Sequence, residues 1–95
     1  MIETKVNSTN PELNRLYWHS RRGMLELDLL LVPFAEQHVQ HLTAEQQQLY
    51  KFLLIEEDQD LYSWLTRREP APNPQLQSMI EIILKKHEQQ KSLPD

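Results

Sequence analysis

The sequence predicts an all-α protein, a compact five-helix bundle. Three observations point to it. Apolar residues recur at three- and four-residue spacing along the chain, and no segment shows the strict alternation of a half-buried strand. Helix-start residues recur too, at Asn10-Pro11, at Thr43 with Gln46, at Asp58 and at Asn73-Pro74. Finally, the strongest breakers, Gly23 and the loop Glu69-Pro70-Ala71-Pro72-Asn73-Pro74, fall between the periodic runs.

The first helix is expected to have Asn10 as N-cap, Pro11 at its first position and Glu12 in its first turn. It should run to about Arg22 and stop at Gly23, the favoured place for a helix-ending glycine. Leu13, Leu16, Tyr17 and Ser20 form its core-facing stripe; Arg15, Trp18 and Arg22, at i, i+3 and i+7, lie opposite. A second helix starts around Glu26 with Leu27, Leu30, Leu31 and Phe34 on one face. Leu29 and Val32 point elsewhere, which suits a central helix or one whose outer face meets a partner. Pro33 should kink or divide it.

Thr43 and Gln46 form a capping box for the third helix. Its stripe is Leu49, Phe52 and Leu53, widened by Tyr50 and Leu54. Asp58 is the expected N-cap of a short fourth helix packed through Leu61, Trp64 and Leu65. Asn73 caps a fifth, with Pro74 at its first position and Leu76, Met79, Ile80, Ile83 and His87 as its stripe. A single helical domain is thus expected over residues 11–87, between flexible tails at 1–10 and 88–95. There is no internal repeat.

Ninety-five residues suffice for one self-folding domain, and 39% hydrophobic with 25% charged residues is ordinary globular material. The longest apolar run, Leu29 to Val32, ends at Pro33, far short of the roughly 20 residues that span a bilayer. The amino terminus shows no secretory h-region. Without cysteine there is neither a disulfide framework nor a thiolate metal site, so the expected home is the cytoplasm with no membrane insertion. A net charge of −4 argues against nucleic acid as the partner. The charge is uneven: Arg15, Arg21 and Arg22 cluster early, while Glu56-Glu57-Asp58 and Asp60 form an acidic block whose default is a solvated surface.

No catalytic constellation emerges. His38 and His41 are spaced i, i+3, but no Glu-x-x-His motif or third ligand accompanies them, so solvated or capping roles outweigh a metal site. His19 and His87 stand alone. None of the serines lies in a Gly-x-Ser-x-Gly elbow. Phosphate cradles need several glycines, and this chain has one. A binding module with no tightly bound cofactor is the better expectation, and an enzyme the poorer.

The candidate surface surrounds that glycine. Trp18 lies opposite the core stripe with Arg15 and Arg22 beside it, and exposed Trp and Arg are the types enriched in interface hot spots. Arg22 can offer a planar fork to a carboxylate or a carbonyl, within the chain or on a partner. Arg21, Gly23 and Glu26 complete the set. The plainer alternative has Trp18 folded over its own arginines, and Gly23 as a simple helix stop with an Arg–Glu pair bridging two helix ends.

The segment from Arg15 to Asp28 resembles the signature of the succinate dehydrogenase flavinylation factors, the FAD assembly factors, whose hallmark Arg-Gly-x-x-Glu is matched by Arg22, Gly23 and Glu26. Pro33-Phe34, the acidic stretch, Asp60-Leu61 and Trp64-Leu65 follow at fitting spacing, so the resemblance covers about Leu13 to Leu84. It implies a five-helix assembly factor that binds the flavoprotein subunit of succinate dehydrogenase, and in some bacteria that of fumarate reductase. It also implies promotion of covalent FAD attachment to a histidine of that client. On this resemblance the partner-binding residues are Arg15, Trp18, Arg21, Arg22, Gly23 and Glu26, with Gly23 admitting close approach of the partner backbone. The free protein is expected to be monomeric. A different class, the antitoxin of a toxin–antitoxin pair, is the alternative; it calls for a disordered inhibitory tail and often a basic DNA-binding half.

Overall fold

The computed structural model describes residues 11–92. Five α-helices follow in order: α1 (Pro11–Ser20), α2 (Leu25–Gln37), α3 (Ala44–Leu54), α4 (Asp58–Leu65) and α5 (Pro74–Ser92), with a 3-10 turn at Val39–His41. No strand occurs among the described residues. α5 packs against α2, α3 and α4, and α1 lies across α2 and α3. Leu27, Leu31, Tyr50, Leu53, Leu54, Leu61, Met79, Ile80 and Ile83 are fully enclosed at the centre. Burial of such side chains at about 1.5–3 kcal/mol each is what holds short helices that would be marginal alone. No helix among the described residues is long and apolar enough to cross a membrane.

Several elements form as the sequence predicts. Thr43 and Gln46 make the reciprocal capping box. Asn73 Oδ1 accepts from the Leu76 N–H at 2.8 Å, which starts α5 with Pro74 in its first turn. Leu61, Trp64 and Leu65 are the buried face of α4.

Other elements differ, each for a physical reason. α1 ends at Ser20, not at Arg22. The Ser20 hydroxyl bonds back to the Leu16 carbonyl at 2.7 Å and meets the Tyr50 hydroxyl, while the Arg21 N–H tightens onto Trp18 O at 3.2 Å. Arg21 and Arg22 therefore leave the helix before the glycine. The expected Asn10 cap lies outside the described residues.

α2 runs unbroken through Pro33. The carbonyl left without a donor is that of Leu29, an exposed residue, where water can serve it. In α3 the buried stripe is Tyr50, Leu53 and Leu54, whereas Phe52 is 49% exposed and Leu49 only half-buried. Tyr50 is drawn inward by Ser20 and by the Phe34 ring, 5.3 Å away between centroids. Asp58 stands inside the first turn of α4 with Glu57 at the cap position, because the Asp58 carboxylate is engaged elsewhere. α5 continues to Ser92, past the expected boundary at His87, so residues 88–92 are helical.

Candidate partner-binding surface

The turn joining α1 to α2 is built around a glycine in the left-handed region. Gly23 has φ of +86°, a conformation an L-residue adopts only with strain. A Cβ placed there would meet nothing within 4 Å. The glycine is therefore required by its own dihedral, and the space over it is open.

Arg22 is the centre of the polar structure beneath that turn. Its Nε donates to Asp58 Oδ1 at 2.8 Å, Nη1 to the carbonyls of Leu54 at 2.7 Å and His19 at 3.2 Å, and Nη2 to the carbonyl of Glu56 at 2.7 Å. The last carbonyls of a helix lack intrahelical partners and carry the negative end of its dipole. A planar guanidinium fork meets three carbonyls at once: Leu54 at the end of α3, Glu56 just beyond it and His19 near the end of α1. The Arg22 backbone N–H in turn donates to Asp28 Oδ1 at 2.8 Å, in the first turn of α2. The side chain is only 11% exposed. Arg22 thus does not share the outward face with Arg15 and Trp18; it leaves α1 and turns inward. The Arg22–Glu26 bridge of the plainer alternative does not form, since Asp58 and Asp28 take its place.

The surface above this knot is open. Trp18 is 55% exposed, with its ring edge-on to Tyr17 at 5.2 Å and the Arg21 guanidinium 5.7 Å from its centroid. Trp18 does stack with an arginine of its own chain, and the arginine is Arg21. Arg15 turns toward Glu12 at 3.5 Å. Glu26 is exposed in the first turn of α2. Trp18, His19, Arg21, Arg22 and Asp58 line a shallow cavity of about 300 Å³ beside the turn. Burial, and after it the Arg22 charge, hold the His19 imidazole below its usual pKa.

Leu25 and Leu29, at i and i+4 on α2, both stand well out into solvent. Leu29 is off the core stripe, as the sequence predicts; Leu25, at the start of the helix, was not singled out. Asp28 and Asp58 were also missed as partners of Arg22: an acidic block carries no mark of which carboxylate turns inward, and Asp28, in a leucine-rich run, gives no sign that it accepts from the Arg22 backbone N–H.

As for chemistry, no group of three His, Asp or Glu side chains among the described residues is placed to hold a metal ion. The surface offers an exposed aromatic, one stacked guanidinium, an outward carboxylate and two leucines over a rigid polar base. Such an arrangement has the residue types of a protein-binding surface on a small helical protein.

The comparisons agree with that class. The family model described as "Flavinator of succinate dehydrogenase" matches residues 14–87. A protein of Pseudomonas savastanoi pv. phaseolicola called "FAD assembly factor SdhE" is 53% identical over 73 residues, covering 77% of this chain and 87% of that protein. Its namesake in Pseudomonas aeruginosa is 51% identical over 73 residues with the same coverage. Another, in Mannheimia succiniciproducens, is 43% identical over 72 residues, or 76% of this chain and 84% of that one. The chain belongs to the succinate dehydrogenase flavinator family.

Proposed function

We propose that this protein is an FAD assembly factor. It binds the flavoprotein subunit of succinate dehydrogenase and promotes covalent attachment of FAD to a histidine of that subunit. It works in the cytoplasm, as a monomer when free, and serves the fumarate reductase flavoprotein as a second client. The observation that carries the reading is the division of labour at the turn. Arg22 is locked into the body of the bundle, while Trp18, Arg21, Gly23 and Glu26 remain outward around an open left-handed glycine.

In this role the protein holds its client in the reactive conformation, shifting a population toward it. Gly23 lets the client backbone approach. Glu26 and Arg21 supply polar contacts, Trp18 an anchor, and Arg15 part of the rim. FAD belongs to the client and is not bound tightly here.

Calorimetry and flavinylation assays test this together. Free FAD is expected to give little heat. The FAD-loaded flavoprotein subunit is expected to form a one-to-one complex that weakens at high salt, as exposed charged contacts are screened. Client flavinylation should accelerate in parallel. Tight stoichiometric binding of FAD alone would make the protein a cofactor carrier instead.

A further inference from the structure

Away from the α1–α2 turn, a second pocket of about 280 Å³ opens where the end of α2 meets α3 and α5. It is lined by His38, His41, Leu42, Gln46, Ile82 and Lys86. Two imidazoles and an ammonium converge there from three different elements, and no carboxylate is among the lining residues. Lys86 makes no ion pair among the described residues. Gln46 directs its Oε1 to the Thr43 N–H, which leaves its amide N–H₂ as a donor.

His38 adds an independent sign. It terminates α2, packs on Phe34 at 5.6 Å, and its Nε2 is enclosed with no hydrogen-bond partner. An enclosed polar atom without a partner is destabilising and calls for an explanation. The charges acting on His38 are Lys86 from α5 and His41 from the 3-10 turn, both positive when ionised, and after burial they disfavour its protonated form. The polar side chains lining the pocket are one ammonium, two imidazoles and one amide, with no carboxylate.

We propose that this pocket binds a small aliphatic carboxylate. Lys86 supplies the fixed charge, with His41 and the Gln46 amide as donors and His38 beside them in the lining. Leu42 and Ile82 give the aliphatic part of the ligand an apolar wall, which a bare inorganic anion would not use. Anion binding opposes the repulsion that Lys86 and His41 exert on His38 and so favours the protonated His38 imidazole; affinity rises as the pH is lowered through the His38 titration. The site is separate from the surface at Gly23, and its test does not depend on any client.

The experiment is a titration of the full chain with sodium glutarate, followed through the histidine ring signals by NMR. Chloride at matched ionic strength and inorganic phosphate are run beside it. Saturable shifts of His38 and His41, with His19 little affected, are expected from glutarate. Lys86→Met should weaken that binding about tenfold, as loss of a charge-assisted contact does, with its circular dichroism unchanged. Non-saturable shifts, the same shifts with chloride, or an undiminished response in Lys86→Met would overturn the site. Equal affinity for phosphate would overturn the assignment to a carboxylate.

Discussion

Arg22 and Asp58 stand 36 residues apart in the chain, and their Nε and Oδ1 atoms are 2.8 Å apart in the fold. The pair ties the α1–α2 turn to the junction of α3 and α4, with the Leu54 and Glu56 carbonyls held by the same guanidinium. Within Arg-Gly-x-x-Glu, then, the arginine supports the turn, while the glycine and the glutamate stand exposed, where the proposed function has a partner meet them. That distinction has measurable consequences.

Arg22→Gln is expected to destabilise the isolated protein. Removing one member of an enclosed ion pair costs about 3–5 kcal/mol; with Asp58 itself 38% exposed, about 2–3 kcal/mol is expected here. In a domain of this size each kcal/mol moves the melting temperature by about 4–8 °C. Glu26→Gln should leave the melt unchanged while weakening client binding. A thermal melt of Arg22→Gln that matches the unsubstituted protein would show that Arg22 is a contact residue and not a support.

Gly23→Arg is expected to keep the helical fold and lose client flavinylation. The site is left-handed, so the substitution costs about 1–2 kcal/mol of backbone strain, but nothing in the chain obstructs a side chain there. Gly23→Asn tolerates the same dihedral with a smaller group and should retain more activity. In-gel fluorescence of covalent flavin in the client, with circular dichroism of the variants, decides it. Normal flavinylation with Gly23→Arg would leave Gly23 a helix stop and nothing more.

How far the sequence foretold this depends on where a signal is local. Thr43 with Gln46, and Asn73 before Pro74, specify their own helix starts, because cap and partner lie within one turn. Leu61, Trp64 and Leu65 fix the buried face of α4 by spacing alone. What stayed hidden is set by distant groups. Ser20 ends α1 early through its bonds to Leu16 and Tyr50, and Arg22 turns inward to the Leu54 and Glu56 carbonyls and the Asp58 carboxylate, all distant in the chain. Phe52 counts as core by spacing, yet it is Tyr50, bonded to Ser20 and packed on Phe34, that fills the core, and Phe52 faces outward. At the candidate site Trp18 was legible as exposed, since its helix face is a local property. The depth of Arg22 was not.

The two tryptophans provide a paired test. Trp18 is 55% exposed and Trp64 is 7% exposed. Trp64→Ala should cost about 3–5 kcal/mol of stability, as large core truncations do. Trp18→Ala gives up an edge contact with Tyr17 and a stacking contact with Arg21 from a ring that is mostly in water, so its melt should move little, while client affinity falls by about 1–2 kcal/mol or more. Equal thermal losses at the two positions would place Trp18 in the core and remove it from the surface.

The alkaline limb of stability belongs to Tyr50. Burial raises its phenol above the ordinary value, and neither the hydrogen bond with Ser20 nor the charge of Arg22 is enough to offset it. The folded chain therefore holds this proton more tightly than the unfolded chain, whose tyrosine titrates near pH 10. Below that pH the contribution is fully present; above it the unfolded state releases a proton that the folded state keeps. Stability then falls by up to about 1.4 kcal/mol per pH unit until the higher folded pKa is reached. Tyr50→Phe should abolish this part of the slope. At neutral pH the same variant should cost about 0.5–1.5 kcal/mol for the lost hydrogen bond, because the Ser20 hydroxyl keeps its donation to Leu16. Urea denaturation of both proteins over about pH 8 to 11 measures the difference. Parallel curves across that range would show that Tyr50 ionises as freely in the folded protein as in the unfolded chain, which an enclosed phenol bonded to Ser20 should not do.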